Sequence, residues 1–294
     1  MSEVRFQHPE CLISPEALAE QLDDPALRLF DCTTYLVETA GPGSPYRVVS
    51  GRADYERHHL PGAAFLDLQA ELSDADSPFR FTLPALDVLA QRFAAAGIGE
   101  GVRVVLYSRG NPQWATRVWW MLRAVGFDDA AILDGGFDLW EAQGRPLPGG
   151  VVRFAPAVWP ALPTRAGLFV GRDEVLAACD DAGASVINAL SAELHRGDSN
   201  RYGRAGRIPG SINVPAQSLR DPQSGRLLEP AAIRSLFEAA GVTPDQRSVI
   251  YCGGGIAATL DAFVLYQLGH LEVAVYDHSL NEWANDHALP MQTG

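Results

Sequence analysis

The chain has no lysine; all 23 of its basic residues are arginine. Schiff-base catalysis by a side-chain amine and a lysine phosphate clamp are therefore excluded. Cysteine is scarce as well, occurring only as Cys11, Cys32, Cys179 and Cys252. With such wide spacing and no Cys-x-x-Cys pair, neither a zinc site nor a disulfide framework is expected. The histidines show no ligand spacing, His58 and His59 being merely adjacent, so no metal and no cofactor is expected. Long apolar runs are missing, none reaching the ~18 residues of a membrane span. The opening residues Met1-Ser2-Glu3-Val4-Arg5 lack the basic-then-apolar pattern of a secretion signal. Positive charge is also in deficit: 23 basic residues face 36 acidic ones, for a formal net charge of -13. Such a balance disfavours nucleic acid and anionic membrane as partners. The expected location is the cytoplasm.

What is present is an ordinary globular composition, 47% hydrophobic and 20% charged, over 294 residues. That length suits two domains. Internal matches support a duplication. Leu29-Phe30-Asp31-Cys32 pairs with Val186-Ile187-Asn188-Ala189, and His59-Leu60-Pro61-Gly62-Ala63 with Arg207-Ile208-Pro209-Gly210-Ser211. Val105-Leu106-Tyr107-Ser108 pairs with Val249-Ile250-Tyr251-Cys252, and Ala131-Ile132-Leu133-Asp134 with Ala274-Val275-Tyr276-Asp277. The order is the same in both halves. Short apolar strands alternate with helical patterns at 84–96, 114–125, 172–179, 229–240 and 256–268. The expected fold is α/β: two tandem domains, each a mostly parallel sheet with helices on both faces. A Pro/Gly-rich stretch divides them, giving domains 1–148 and 166–294 around a linker at 149–165.

One segment carries chemistry. The strand pattern Ser248-Val249-Ile250-Tyr251 ends at Cys252, then Gly253-Gly254-Gly255 leads into the helix pattern that starts at Ile256. Glycines let the backbone curl with its N–H groups inward, and a helix start adds positive potential. A thiolate there would be stabilised and nucleophilic. In parallel α/β sheets such a site lies beyond the carboxyl ends of the strands. The equivalent residue of the first half is Ser108, which cannot form a persulfide, so that half reads as catalytically silent.

With these repeats, Arg117-Val118-Trp119-Trp120-Met121-Leu122-Arg123 and Leu133-Asp134-Gly135-Gly136-Phe137-Asp138-Leu139-Trp140 make the whole chain resemble the two-domain rhodaneses. These are the thiosulfate and 3-mercaptopyruvate sulfurtransferases. The resemblance implies two rhodanese-like domains, with Cys252 as the nucleophile. It further implies a loop of Gly253, Gly254, Gly255, Ile256, Ala257 and Ala258 cradling a persulfide. The implied donor is 3-mercaptopyruvate or thiosulfate; the implied acceptor is a small thiol, a reduced thioredoxin or cyanide.

The departures bear on the substrate. Thiosulfate-preferring relatives carry basic residues where this chain has Gly253 and Gly254. Mercaptopyruvate-preferring relatives read Cys-Gly-Ser-Gly and use the serine in a Ser/His/Asp relay. Here the serine position is Gly254, the histidine position falls near Phe81, and Asp67, matching the third member, has nothing to orient. Leu190 stands where relatives place an arginine on the substrate anion. Arg196, Arg201, Arg204 and Arg207 cluster nearby, and Arg201, Arg204 and Arg207 are the expected replacements, guanidinium being suited to carboxylate. His278 is a further candidate for tuning Cys252 or protonating a leaving group.

The alternative to an enzyme is a non-enzymatic sulfur carrier, or persulfide-binding module, fed by another protein. A dinucleotide site is suggested by Gly253-x-Gly255-x-x-Ala258, but too few residues follow Asp277 to complete a nucleotide domain. A cysteine phosphatase would need arginine at Ala258.

Overall fold

A computed structural model describes residues 4–39 and 46–294. The first three residues of the N-terminal segment considered above lie outside that range. The first half contains β1 (Leu12–Ile13), β2 (Leu27–Asp31), β3 (Thr34–Glu38), β4 (Tyr46–Ser50), β5 (Ala64–Phe65), β6 (Arg103–Tyr107) and β7 (Ala130–Leu133). The second contains β8 (Phe169–Val170), β9 (Ala184–Asn188), β10 (Ile212–Asn213), β11 (Arg247–Tyr251) and β12 (Val273–Tyr276). Two five-stranded sheets result, ordered β1-β7-β6-β2-β5 and β8-β12-β11-β9-β10. Every pairing within them is parallel. Strand for strand, the two orders are the same. Among the strands of the described residues, only the antiparallel hairpin β3–β4 has no counterpart.

The central strands are buried apolar runs, as sheets covered on both faces require. Val104, Val105, Leu106 and Tyr107 are all 0% exposed, and so are Val249, Ile250 and Tyr251. The duplication extends to side-chain bonds. Tyr107 Oη accepts the Leu60 N–H at 3.2 Å, and Tyr251 Oη accepts that of Ile208 at 3.1 Å. Trp140 donates to the Pro146 carbonyl, as Trp283 does to that of Pro290.

Helix Gln113–Ala124 of the first half packs on helix Ala258–Gln267 of the second. These are equivalent elements of the repeat. Across the seam, Trp119 meets Phe263 edge-on at 4.9 Å, a contact contributing about 0.5–1.5 kcal/mol beyond burial. Thr116 Oγ1 and Thr259 Oγ1 hydrogen-bond at 2.8 Å. The irregular stretch between the halves lies against the first one. Its Ala157 N–H donates to the Ala94 carbonyl, and Trp159 packs on Phe93 and Phe127. Gly126 allows this close approach: a Cβ there would come 2.5 Å from the Pro163 carbonyl oxygen. The seam between the halves is where the site forms.

Candidate active site

Cys252 directly follows β11 and is 2% exposed. Helix Ala258–Gln267 begins six residues on. Within the turn, Gly255 has φ +69, and a Cβ there would overlap the Asp277 carbonyl oxygen. Glycine is thus required for both torsion and space. Among the described residues, the N–H groups of Gly253, Gly254, Ile256, Ala257 and Ala258 donate to no protein acceptor, while the Thr259 N–H is taken by the Ile256 carbonyl. Five uncommitted donors in a loop headed by a cysteine make a site for an anionic sulfur.

The loop is pinned by Ser279, the residue after His278 beyond β12. Its Oγ accepts from the Cys252 N–H at 3.0 Å and the Gly255 N–H at 3.2 Å, and donates to the Tyr276 carbonyl at 2.7 Å. Ser279 is fully buried with φ +51, a left-handed conformation that costs a non-glycine residue about 1–3 kcal/mol. Its three hydrogen bonds explain why the conformation is retained. From the first half, Arg117 reaches across the seam. It is 0% exposed and donates to the Gly255 carbonyl at 3.1 Å, the Phe81 carbonyl at 2.6 Å and Asp277 Oδ1 at 2.7 Å. Asp277 Oδ2 accepts the Leu83 N–H. A charge so deeply buried is tolerable only because it is paired and hydrogen-bonded.

Two tyrosines wall the loop. A Cβ at Gly253 would overlap the Tyr202 ring and lie 2.5 Å from its hydroxyl; one at Gly254 would lie 3.6 Å from the Tyr46 hydroxyl. The rings meet edge-on at 6.5 Å. Tyr46 Oη accepts from Asn281 Nδ2 at 3.3 Å. Burial pushes both phenols above their usual range, and the nearby Cys252 raises them further. The Arg201 guanidinium is 6.0 Å from the Tyr46 ring and 5.9 Å from that of Tyr202, and that of Arg80 is 5.1 Å from Tyr46. Arg201 pairs at 2.7 Å with Glu38, whose side chain is 77% exposed. Such a surface pair contributes only about 0–1 kcal/mol, so Arg201 is free to turn to a substrate anion.

The other residues singled out from sequence have different surroundings. Arg204 is spent on the backbone, donating to the carbonyls of Trp283, Ala284, Asp286 and Leu289 and holding the C-terminal segment. Arg207 Nη1 donates to the carbonyls of His195 and Gly294. His278 lies against the Phe79 ring, with Nδ1 3.3 Å from Glu282 and Nε2 3.9 Å from Asp277. Phe81 is buried with φ +60, and Asp67 caps a local turn through the Ala70 N–H. No Ser/His/Asp relay is assembled from these positions. Burial, with Glu10 beside it, pushes the Cys11 thiol up to about 12, and burial raises Cys32 and Cys179 too. Those three are therefore poor nucleophiles at neutral pH.

Ser279, Arg117, Tyr46, Tyr202 and Asn281 were not marked as site residues by the sequence. Arg117 could be seen there only as part of a family motif. A serine in place of a repeat glycine (Gly136 in the first half) was the one available signal for Ser279. Among the described residues no cluster of three or more His, Cys, Asp or Glu is placed to hold a metal ion, and no helix is long and apolar enough to cross a membrane. A cleft of about 720 Å³ lies elsewhere, under the linker of the first half between Arg52, Phe65, Arg92 and Phe154.

A parallel α/β domain with a cysteine at a strand end, heading a loop of uncommitted N–H groups, suits a cysteine nucleophile that carries an anionic group. The rhodanese-like domain model matches this chain twice, at residues 14–143 and 173–286. The 3-mercaptopyruvate sulfurtransferase of Escherichia coli (strain K12) is 31% identical over 283 residues, covering 95% of this chain and 97% of that one. The thiosulfate sulfurtransferase of Cricetulus griseus is 30% identical over 302 residues, covering 96% and 94%. The crystal structure of SseA, a 3-mercaptopyruvate sulfotransferase from Escherichia coli, superposes with TM-score 0.78 at 29% identity, covering 92% of this chain and 98% of that one. The chain belongs to the rhodanese family, among its tandem-domain sulfurtransferases.

Proposed function

We propose that this chain moves a sulfane sulfur from a small donor to a thiophilic acceptor through a persulfide on Cys252. The observation that carries this reading is the loop itself: five uncommitted N–H groups in the turn that Cys252 heads at the end of β11. The Cys252 thiolate attacks the donor sulfur, and the donor's remainder leaves with the bonding electrons. The persulfide anion then rests against the loop donors until an acceptor thiolate, a reduced thioredoxin or cyanide takes the outer sulfur. The second half supplies the chemistry, while the first supplies Arg117, Tyr46 and Arg80.

The preferred donor is 3-mercaptopyruvate, with thiosulfate the poorer one. Gly253 and Gly254 place no cation in the loop, so a dianion has little to meet there. Arg201 at the mouth suits a single carboxylate. Arg204 and Arg207, held on carbonyls, leave that task to Arg201. A cytoplasmic setting fits an acceptor pool of reduced thiols.

Intact-protein mass after incubation with either donor tests this. A gain of ~32 Da, reversed by thiol and absent in Cys252→Ser, is the expected result. If neither donor loads Cys252, small-molecule turnover is refuted, and a carrier fed by another protein takes its place.

A further inference from the structure

We infer that Tyr202 is the proton donor when 3-mercaptopyruvate loads Cys252, an inference that rests on the function proposed above. Breaking the carbon–sulfur bond of that donor leaves the enolate of pyruvate, which must gain a proton to become product. The serine and histidine that relatives would use are Gly254 and Phe81 here, and Phe81 is a buried apolar side chain. Something else has to hold that proton.

The Tyr202 hydroxyl is the group in the right place. It sits 2.5 Å from where a Cβ of Gly253, the residue after the nucleophile, would stand, so a side chain there would displace the Tyr202 ring. Tyr46 is set back: its hydroxyl is farther from the loop, 3.6 Å from where a Cβ of Gly254 would stand. His278 is engaged by Phe79 and Glu282. Part of the Tyr202 side chain remains exposed. Its phenol carries its proton at physiological pH; burial and the nearby Cys252 push its pKa further up, and Arg201 opposes that rise. The same Arg201, 5.9 Å from the ring, is the cation for the substrate carboxylate. Clamp and acid are therefore neighbours in sequence and in space.

The step balances without a further reagent. The Cys252 thiolate bonds to the donor sulfur, and the carbon–sulfur pair moves to carbon as the enolate. The Tyr202 proton goes to that carbon, giving pyruvate and a phenolate. The persulfide, formed as Cys–S–SH, returns its own proton to the phenolate and remains as Cys–S–S⁻. Discharge of this persulfide to cyanide gives thiocyanate and the thiolate with no proton transferred.

That asymmetry supplies the test. Single-turnover loading by 3-mercaptopyruvate and discharge by cyanide are followed by intact mass in wild type and Tyr202→Phe, the variant being loaded by prolonged incubation. Loading falls roughly 10²-fold, the usual contribution of a general acid, and discharge is unchanged. Unchanged loading overturns the inference. So does an equal fall in both rates, which would mean the ring merely shapes the loop. As a check that needs no variant, wild-type loading slows in D2O while discharge does not; an absent solvent isotope effect on loading also overturns it. A wild type that loads from thiosulfate but not from 3-mercaptopyruvate overturns this inference and the donor preference, and leaves the Cys252 persulfide standing. Loading from neither donor overturns the proposed function with it.

Discussion

The two halves of this chain share a sheet order, a strand register and even the hydrogen bonds of their tyrosines and tryptophans, yet one carries a reactive loop. In the first half four donors of the loop after β6 are already taken. The Arg109 N–H donates to Thr33 Oγ1, that of Gly110 to Asp138 Oδ2 at 2.6 Å, that of Asn111 to the Arg109 carbonyl and that of Gln113 to Asn111 Oδ1. Pro112 has none to give. Ser108 Oγ itself bonds the Asn111 carbonyl at 2.6 Å. In the second half, five loop N–H groups are uncommitted, and the position of Asp138 holds the neutral Asn281. An anion site thus depends less on the fold than on which donors the fold leaves unclaimed.

The support differs as well. At the Gly136 position of the first half, a Cβ would come 2.6 Å from the Ser108 carbonyl oxygen. At the matching Ser279, the side chain fits and binds the loop. Asp277 is answered by Arg117, whereas the position matching Arg117 in the second-half helix is Leu260, so Asp134 receives no such guanidinium from that helix. Burial accordingly raises the Asp134 carboxyl above the usual carboxylate range, against the pull of the Leu227 N–H and Arg226.

The sharpest way to break this comparison is to remove the cross-seam arginine. Arg117→Met leaves the Asp277 carboxylate without its partner and the Gly255 carbonyl without its donor, and should cost about 3–5 kcal/mol. Denaturant unfolding measures it, and a loss under about 1 kcal/mol would show that the pair does not hold the loop. Next comes Asn281→Asp, which gives the second half the carboxylate of the first. It should capture a loop N–H, repel the anionic persulfide and slow single-turnover loading of Cys252 roughly 10²-fold. Unaltered loading would mean the free donors are not what distinguishes the halves.

The smallest effect is expected at Asp261, whose place in the first-half helix is taken by Val118. Both Asp261 carboxyl oxygens are buried without a hydrogen-bond partner, and burial holds the pKa well above 3.8. The native state therefore keeps this proton to a higher pH than the unfolded chain does, and stability falls as pH rises above the unfolded value. Asp261→Val should stabilise the protein by about 1–3 kcal/mol at pH 7, the cost of an unsatisfied buried group. The gain should shrink towards pH 4. Unfolding midpoints of both proteins across that range decide it; a gain that does not change with pH would show that the carboxyl is not the cause.

Much of the fold was legible because it is written locally. The expected helices at 114–125 and 172–179 fall within one residue of Gln113–Ala124 and Arg172–Cys179, since apolar periodicity is a property of neighbours along the chain. The matched tetrapeptides became β2 and β9, β6 and β11, β7 and β12. The hairpin β3–β4, which breaks the repeat, was not anticipated from any match.

The sequence by itself determined the duplicated α/β architecture, the strand that ends in Cys252, the glycine turn after it and the absence of the usual relay. Each depends on a few contiguous residues and their own torsional and hydrogen-bonding preferences. Only the tertiary structure decided that Ser279 would bind the loop N–H groups, that Arg117 would cross the seam to Gly255, and that Tyr202 and Tyr46 would wall the cysteine. It also separated Arg201, beside the two tyrosines, from Arg204, three residues on and held on backbone carbonyls. Those outcomes depend on which surfaces meet when the two halves pack, and residues far apart in the chain carry no local trace of that meeting.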